Sequence, residues 1–302
     1  MLQKCLEAIT RLENQHGHQI DCCVVNNDIT PICPEVIEKF TQKTSPIQFH
    51  FSNCKERGIP QARNMILEHA SEKKYDFCLF LDDDEYPDPM WINELLSKQA
   101  ELNADVVQGN VHNNFEATPW ITASLLNEVK FKDCGEHICR FISTCNVLIA
   151  RRFYDSEQLA LRFDNAYALT GGSDKELFNR AIELHQISTA FETKAIVYEF
   201  IPKERTTVRW FFNRYARIEF NTQMRKINSH GAFIARVRQI PSIIGLFSRS
   251  LLSILNIPFA LYPPLRRRRC FISLMKKLAK LWGVTSSFLG LEMHVYRKTT
   301  GW

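Results

Sequence analysis

Acidic side chains all but vanish from the last third of this 302-residue sequence. Residues 201–302 hold only Glu204, Glu219 and Glu292 against nineteen lysines and arginines. That scarcity excludes a self-neutralised surface there, leaving +16 over residues 201–302 and −11 over residues 1–200, so the two parts are suited to different partners. The ten cysteines include no CxxC pair and no metal-ligand spacing, which excludes a cysteine-built zinc site. The longest apolar segment, PSIIGLFSRSLLSILNIPFALYPPL, is broken by Arg249, Pro258 and Pro263-Pro264, so no transmembrane helix is expected. Met1 leads into a polar, amphipathic segment and not into a secretory leader. The thiols are therefore expected to be reduced, cytosolic and mostly small core residues.

What is present is enough for a full core: 45% of residues are hydrophobic and 24% charged, and the length suits one large domain with or without an appendage. The first 110 residues alternate between helix and strand patterns. LQKCLEAITRLENQ places Leu2, Leu6, Ile9 and Leu12 on one helical face, and DCCVVNND reads as a buried strand with a polar end. A helix is expected from Pro34, then the strand IQFHFSN, the helix IPQARNMILEHASEK and the strand FCLFL. The helix MWINELLSKQAEL follows, with Asp88-Pro89 as its expected N-cap and N1, and then the strand DVVQGNV. Such alternation predicts an α/β fold with a mostly parallel sheet, and ligands then bind beyond the C-terminal strand ends. Further on, TCNVLIARR and FETKAIVYEF read as strands and GGSDKELFNRAIEL as a turn and helix.

Two strand ends carry polar clusters, Asn26-Asn27-Asp28 and Asp82-Asp83-Asp84-Glu85. The second is the costlier arrangement, because crowded carboxylates beside an apolar strand repel each other and lose hydration. A divalent cation such as Mg2+ or Mn2+ relieves that cost with the oxygen ligands it prefers. A solvated acidic turn ahead of a helix N-terminus is the other reading.

Four segments in order, VVNND (24–28), GIPQARN (58–64), FLDDDEYPDPMW (80–91) and GGSDKELFNRA (171–181), resemble family 2 glycosyltransferases. The bacterial sugar transferases of exopolysaccharide and lipopolysaccharide biosynthesis, succinoglycan type included, are the nearest in pattern. The resemblance covers roughly residues 1–215. It implies a GT-A, Rossmann-like nucleotide-sugar domain over residues 1–204 and a helical, basic, amphipathic region over 205–302. By that likeness Asp28, Arg63, Asp82, Asp83 and Asn146 are donor-binding, with Asp28 on the nucleobase and Arg63 facing the phosphates. Asp84 and Asp82 would hold Mg2+ or Mn2+, and Asp174 would be the catalytic base. Asn64 would support the Arg63 loop, and Arg209-Trp210 would be weak candidates for acceptor or diphosphate contact. Ser173 stands where the family has Glu; with Glu176 it also has the spacing of a helix capping box.

The implied activity is inverting, metal-dependent transfer from a nucleotide-sugar, expected to be a UDP-sugar, to a saccharide or lipid-linked acceptor of a bacterial surface polysaccharide. Donor sugar and linkage are expected to depend on loops within 109–143. Family members begin with a strand ahead of the helix that opens this sequence, so the sheet is expected to lack its first strand. A truncated, inactive, glycosyltransferase-like membrane-associated protein is the alternative. The basic tail is expected to lie on an anionic membrane surface with Arg266–Arg269 near headgroups, giving a cytoplasmic protein peripheral on the inner face of the cell membrane. Its charge could also neutralise nucleic-acid phosphates, but that leaves the carboxylates unexplained, and no nucleic-acid partner is expected.

Overall fold

The computed structural model describes residues 1–28, 30–32, 34–42, 46–116, 142–168, 171–255 and 264–291. The chain forms two compact units, one from Met1–Asn114 and the stretch ending at Phe200, the other from Ile201 onward together with Phe115 and Glu116. In the first unit, β1 (Ile20–Asn26) and β2 (Ile47–Asn53) pair in parallel, from Ile20 opposite Ile47 to Asn26 opposite Asn53. Helix α1 (Leu2–Ile9) and α2 (Pro34–Thr41) bring Leu6, Ile9 and Phe40 against Ile47 and Phe49. α1 stops at Ile9, short of the expected helix.

The second sheet has five strands in the order β3 (Phe77–Phe80), β6 (Val147–Ala150), β5 (Val106–Phe115), β7 (Thr189–Ile201) and β4 (Glu85–Pro87). β3 with β6, β5 with β6 and β4 with β7 are all antiparallel. The α/β class stands, but the expectation of a mostly parallel sheet is corrected. The cause is that a strand buried on both faces, such as Val147–Ile149, reads the same in either direction. Among the described residues no strand pairing joins the two sheets. Side chains do so instead: Leu12, Ile20 and Leu81 pack against the buried clusters of both sheets, and the Tyr75 hydroxyl donates to Asp21 Oδ2.

Strand alternation sorts the core into two layers. Val147 and Ile149 point to the side of Leu67, Phe80, Phe153 and Phe178, whereas Leu148 points to that of Trp91, Leu95 and Val197. The first layer is closed by α3 (Ile59–Glu72), α5 (Arg151–Tyr154) and α6 (Ser173–His185), the second by α4 (Trp91–Leu102). Each fully buried Leu, Ile or Phe here is worth about 1.5–3 kcal/mol. Helix α3 packs on β1 and on β3 alike, so it is an element both sheets share. Asp88 was expected to cap α4. It instead closes the preceding turn, its carbonyl accepting from Trp91 N–H and its Oδ1 from Met90 N–H, and the N-cap is Met90.

In the second unit a 3-10 turn, Lys203–Thr206, leads into α7 (Val208–His230), with α8 (Ala232–Leu255) and α9 (Pro264–Phe288) packed on it and on each other. Thr207 caps α7 by accepting from Trp210 N–H at 3.2 Å. Gly283 lets α9 approach α7, since a Cβ there would lie 2.2 Å from the Ala216 carbonyl oxygen. Helix α8 has an inverted amphipathic pattern. It buries Ala235, Gln239 and Ser250 and exposes Phe233, Val237, Ile240, Ile244, Phe247, Leu251 and Ile254. Those seven follow a strict 4-3 spacing and so form one stripe. None of the described helices is long and apolar enough to cross a membrane. Arg266–Arg269 lie in the first turns of α9, and their side chains are outside the described part, as are residues 117–141 of the expected specificity loops.

Candidate active site

The site is built where α3, the turn after β3 and the start of α6 meet. Gly171 and Gly172 both adopt left-handed backbone (φ 71° and 92°), a conformation that favours glycine, and this turns the chain into α6 so that Asp174 lies in its first turn. The Asp174 carboxylate forms an ion pair through Oδ1 with Arg63 Nη1. Its Oδ2 accepts from Thr144 N–H at 3.3 Å and from Thr144 Oγ at 3.0 Å, and Ser173 Oγ donates to Oδ1 at 3.3 Å. The other terminal nitrogen of Arg63, Nη2, lies 3.8 Å from Asp82 Oδ1. Arg63 is thus a cation held between two carboxylates from elements far apart in sequence, Asp82 after β3 and Asp174 in α6. Its guanidinium also sits over the Phe163 ring at 5.6 Å.

Burial of Asp174 acts to raise its pKa, but the Arg63 charge and the Thr144 hydrogen bonds outweigh it and hold the carboxyl below the usual carboxylate range. The expectation that Ser173 and Glu176 form a capping box is corrected. Gly172 is the N-cap, Ser173 turns to Asp174, and Glu176 pairs with Arg180 at 2.6 Å. A guanidinium one turn away offers the Glu176 carboxylate a charged partner that a backbone N–H cannot match.

The acidic run forms a turn held from within. Glu85 N–H donates to the Asp82 carbonyl at 3.1 Å, and the Glu85 carboxylate accepts from Asp82 N–H at 3.2 Å. Glu85 is only 2% exposed, so its carboxylate is structural. Asp82 and Asp84 are half-buried and Asp83 is exposed. Asp28 sits at the end of β1 in an Asx turn, its N–H donating to Asn26 Oδ1 at 3.1 Å. Asn27 ties that turn to α3 by accepting from Gly58 N–H at 2.8 Å. Asn64 clips α3 to the segment before α6, donating to the Phe163 carbonyl and accepting from Phe163 N–H, at 2.9 and 2.8 Å.

Asn146 is corrected from donor contact to core residue. It is fully buried, accepts from Trp91 Nε1 at 2.7 Å and donates to the carbonyls of Asn110 and Ala195, each at 2.8 Å. Its polar group serves β5, β6 and β7, leaving no N–H free for a ligand. Arg209 and Trp210 belong to the second unit. Arg209 is exposed, and Trp210 packs on Phe211 and under the Arg214 guanidinium at 5.0 Å.

Thr144 carried no signal in the sequence: it is 1% exposed and holds the Asp174 carboxylate. Asn27, legible only as part of the polar end of β1, joins that end to α3. Among the described residues no three carboxylate, imidazole or thiol groups are in place to hold a metal ion. The Asp82 and Asp84 oxygens nevertheless fit Mg2+ or Mn2+ in chemistry, because Mg2+ is commonly held by one or two carboxylates with phosphate oxygens completing its shell.

A family model described as glycosyl transferase family 2 matches residues 1–156. No curated protein sequence matches the chain. Among solved structures, S. aureus TarS 1-349 in complex with UDP-GlcNAc is similar with a TM-score of 0.50 and 12% identity, over 97% of this chain and 89% of that one. A longer S. aureus TarS structure gives 0.49 and 13%, over 72% of this chain and 36% of that one, so the match spans about a third of its length. GalNAc-T7 with UDP, GalNAc and Mn2+ gives 0.49 and 13%, over 66% and 41%. At these identities the likeness concerns the fold.

Proposed function

Because the chain belongs to glycosyl transferase family 2, we propose that its nucleotide-sugar transfer is inverting and metal-dependent, with a UDP-sugar as donor. The observation that carries this reading is Arg63 clamped between Asp82 and Asp174. A cation at that point is where a donor diphosphate finds its counter-charge. As the diphosphate takes up the Arg63 charge, the Asp174 carboxylate loses its strongest partner. Its pKa then rises toward the range of a working base. Thr144 keeps the carboxylate oriented throughout.

Asp174 then accepts the proton of the attacking acceptor hydroxyl as the anomeric C–O bond to the diphosphate breaks. Attack from the face opposite the leaving group inverts the anomeric centre. Asp84 and Asp82 would hold Mg2+ or Mn2+, which when bound would supply Lewis-acid stabilisation of the departing nucleotide. Asp28 is placed at the end of β1 for the nucleobase, and Asp83 lies outward beside the donor. The test is a screen of nucleotide-sugars for Mn2+-dependent hydrolysis and for thermal stabilisation of the chain. A UDP-sugar is expected to give both, and a screen with no turnover and no stabilisation refutes the reading.

The acceptor is proposed to be a saccharide or lipid-linked saccharide of a bacterial surface polysaccharide, met at the cytoplasmic face of the membrane. The α8 stripe supports this. Large apolar side chains face outward, and Arg236, Arg238 and Arg249 are the charged residues of a helix with no acidic ones, which suits an anionic lipid surface. The chain is expected to sediment with phosphatidylglycerol vesicles at low salt and far less with phosphatidylcholine vesicles. Replacing Ile244 and Phe247 together by Glu is expected to weaken that partition at least about tenfold, since two exposed apolar side chains that would be buried in lipid are lost. Unchanged partition of the double variant refutes the role of α8.

A further inference from the structure

Gln108 is wholly buried in β5, at a place where an apolar side chain of similar size would fill the same space. A buried amide is costly unless its polar atoms are bonded. Here they all are. Gln108 Oε1 accepts from Ser143 N–H at 2.7 Å, and Nε2 donates to the carbonyls of Asn146 at 2.6 Å and Gly109 at 3.0 Å. The oxygen and both N–H donors of the amide are thus in use.

The strand ladder between β5 and β6 ends at Gln108 opposite Val147. Just beyond it, Gly109 N–H still reaches the Asn146 carbonyl at 2.9 Å, and the Gln108 side chain extends the hold to Ser143. One side chain therefore clamps both Ser143 and Asn146, and Thr144 lies between them. Thr144 is in a turn three residues before β6, so the clamp gives it the positional hold that a ladder gives a strand residue. From there it presents two donors to Asp174 Oδ2, its N–H at 3.3 Å and its Oγ at 3.0 Å.

Position matters here on a fine scale. A shift of about 0.5 Å away from α6 carries the Oγ contact to about 3.5 Å and the N–H contact past it, where hydrogen bonding ends. Reacting groups need to be held to about that tolerance by partners that are themselves locked. The charged group facing Asp174 is Arg63 from α3, with Asp82 on its far side. Thr144 and Ser173 face it with uncharged donors.

We propose that Gln108 is a positioning residue for sugar transfer, a buried amide that clamps Ser143 and Asn146 and so holds Thr144 against the Asp174 carboxylate. Its three hydrogen bonds end on Ser143, Asn146 and Gly109, so it acts through Thr144. This role rests on the reading of Asp174 as the base. Once a diphosphate takes up the Arg63 charge, the Thr144 donors are what keeps that base aimed.

The test follows the Asp174 carboxyl by carbon-13 NMR in the full chain, its signal identified by its absence in Asp174→Asn. Gln108→Met keeps the size and removes the amide. Its carboxyl midpoint is expected to rise toward the ordinary carboxylate range, because donors to the charged form are weakened. Thr144→Val should do the same, and Thr144→Ser should restore the unaltered value. Val106→Ala, a cavity in the same strand, should cost stability without moving that midpoint. In Mn2+-dependent hydrolysis of the UDP-sugar selected by the nucleotide-sugar screen, Gln108→Met should lower kcat about ten- to a hundredfold at unchanged KM. In the unaltered chain the Ser143 amide should exchange as slowly as those of β6, which decides the matter even where Gln108→Met does not fold. A fast Ser143 amide, or an unmoved midpoint in Gln108→Met beside an inactive Asp174→Asn, overturns the clamp alone. Full activity of Asp174→Asn overturns the base and the clamp's role with it.

Discussion

Asp174→Asn is expected to lower sugar transfer by about 10²- to 10⁴-fold, the range that a positioned general base contributes, while the chain stays folded and still binds its donor. The substitution keeps the shape and the acceptor oxygen for Thr144, but it removes the negative charge opposite Arg63. Arg63 keeps Asp82 as a neighbour at 3.8 Å, so its charge is not stranded. A stability signature accompanies the kinetic one. The carboxyl of Asp174 is held below its ordinary range in the folded chain, so the unfolded state binds the proton more readily. Its contribution is fully present above the ordinary carboxylate pKa and is lost as pH falls through the lowered native value. The variant should therefore lose part of its acid sensitivity. Rate measurement beside acid unfolding of both forms checks this, and a fully active variant refutes the assignment.

Asp84→Ala is expected to reduce transfer on the order of a thousandfold, matching the several kcal/mol that a bound cation supplies to a departing diphosphate. Chelation of the unaltered protein should have the same effect, reversed by Mn2+. Asp83→Ala should cost far less, because in the turn after β3 Asp83 is exposed where Asp84 is half-buried. The comparison separates a metal ligand from a residue that only adds negative charge. Activity indifferent to chelator, or unchanged in Asp84→Ala, rules the mechanism out.

Most elements before residue 110 could be read from periodicity, because each helix shows one apolar face and each strand a short apolar run between turn residues. The exceptions have physical causes. β4 (Glu85–Pro87) was hidden because its first residue belongs to the acidic run, and nothing local shows that Glu85 turns inward to close the turn. Strand direction was illegible because burial on both faces carries no polarity. Asn146 was misread since a polar residue in an apolar strand announces only that it is satisfied. Here Trp91, Asn110 and Ala195 satisfy it inside the core. Asp174 was legible through the family resemblance, but Arg63 and Thr144, which set its charge state, come from other elements and meet it only in three dimensions. The 4-3 stripe on α8 is visible in the sequence; that it faces outward is not, because an apolar stripe ordinarily faces a core.

The divided sheet also sets the order in which the molecule breathes. Backbone pairing gives β1 and β2 one neighbour each, whereas β5, β6 and β7 have two. Cooperative opening follows such boundaries, so amide exchange across Cys22–Asn26 should be faster than across Val106–Gln108 or Val147–Ile149. Asp28 rides on the piece that opens first, while Asp174 and Thr144 are anchored on the piece that opens last. A nucleotide bound across both would then slow exchange most at the end of β1, turning occupancy of the site into stiffness of a strand that no ladder holds to the larger sheet.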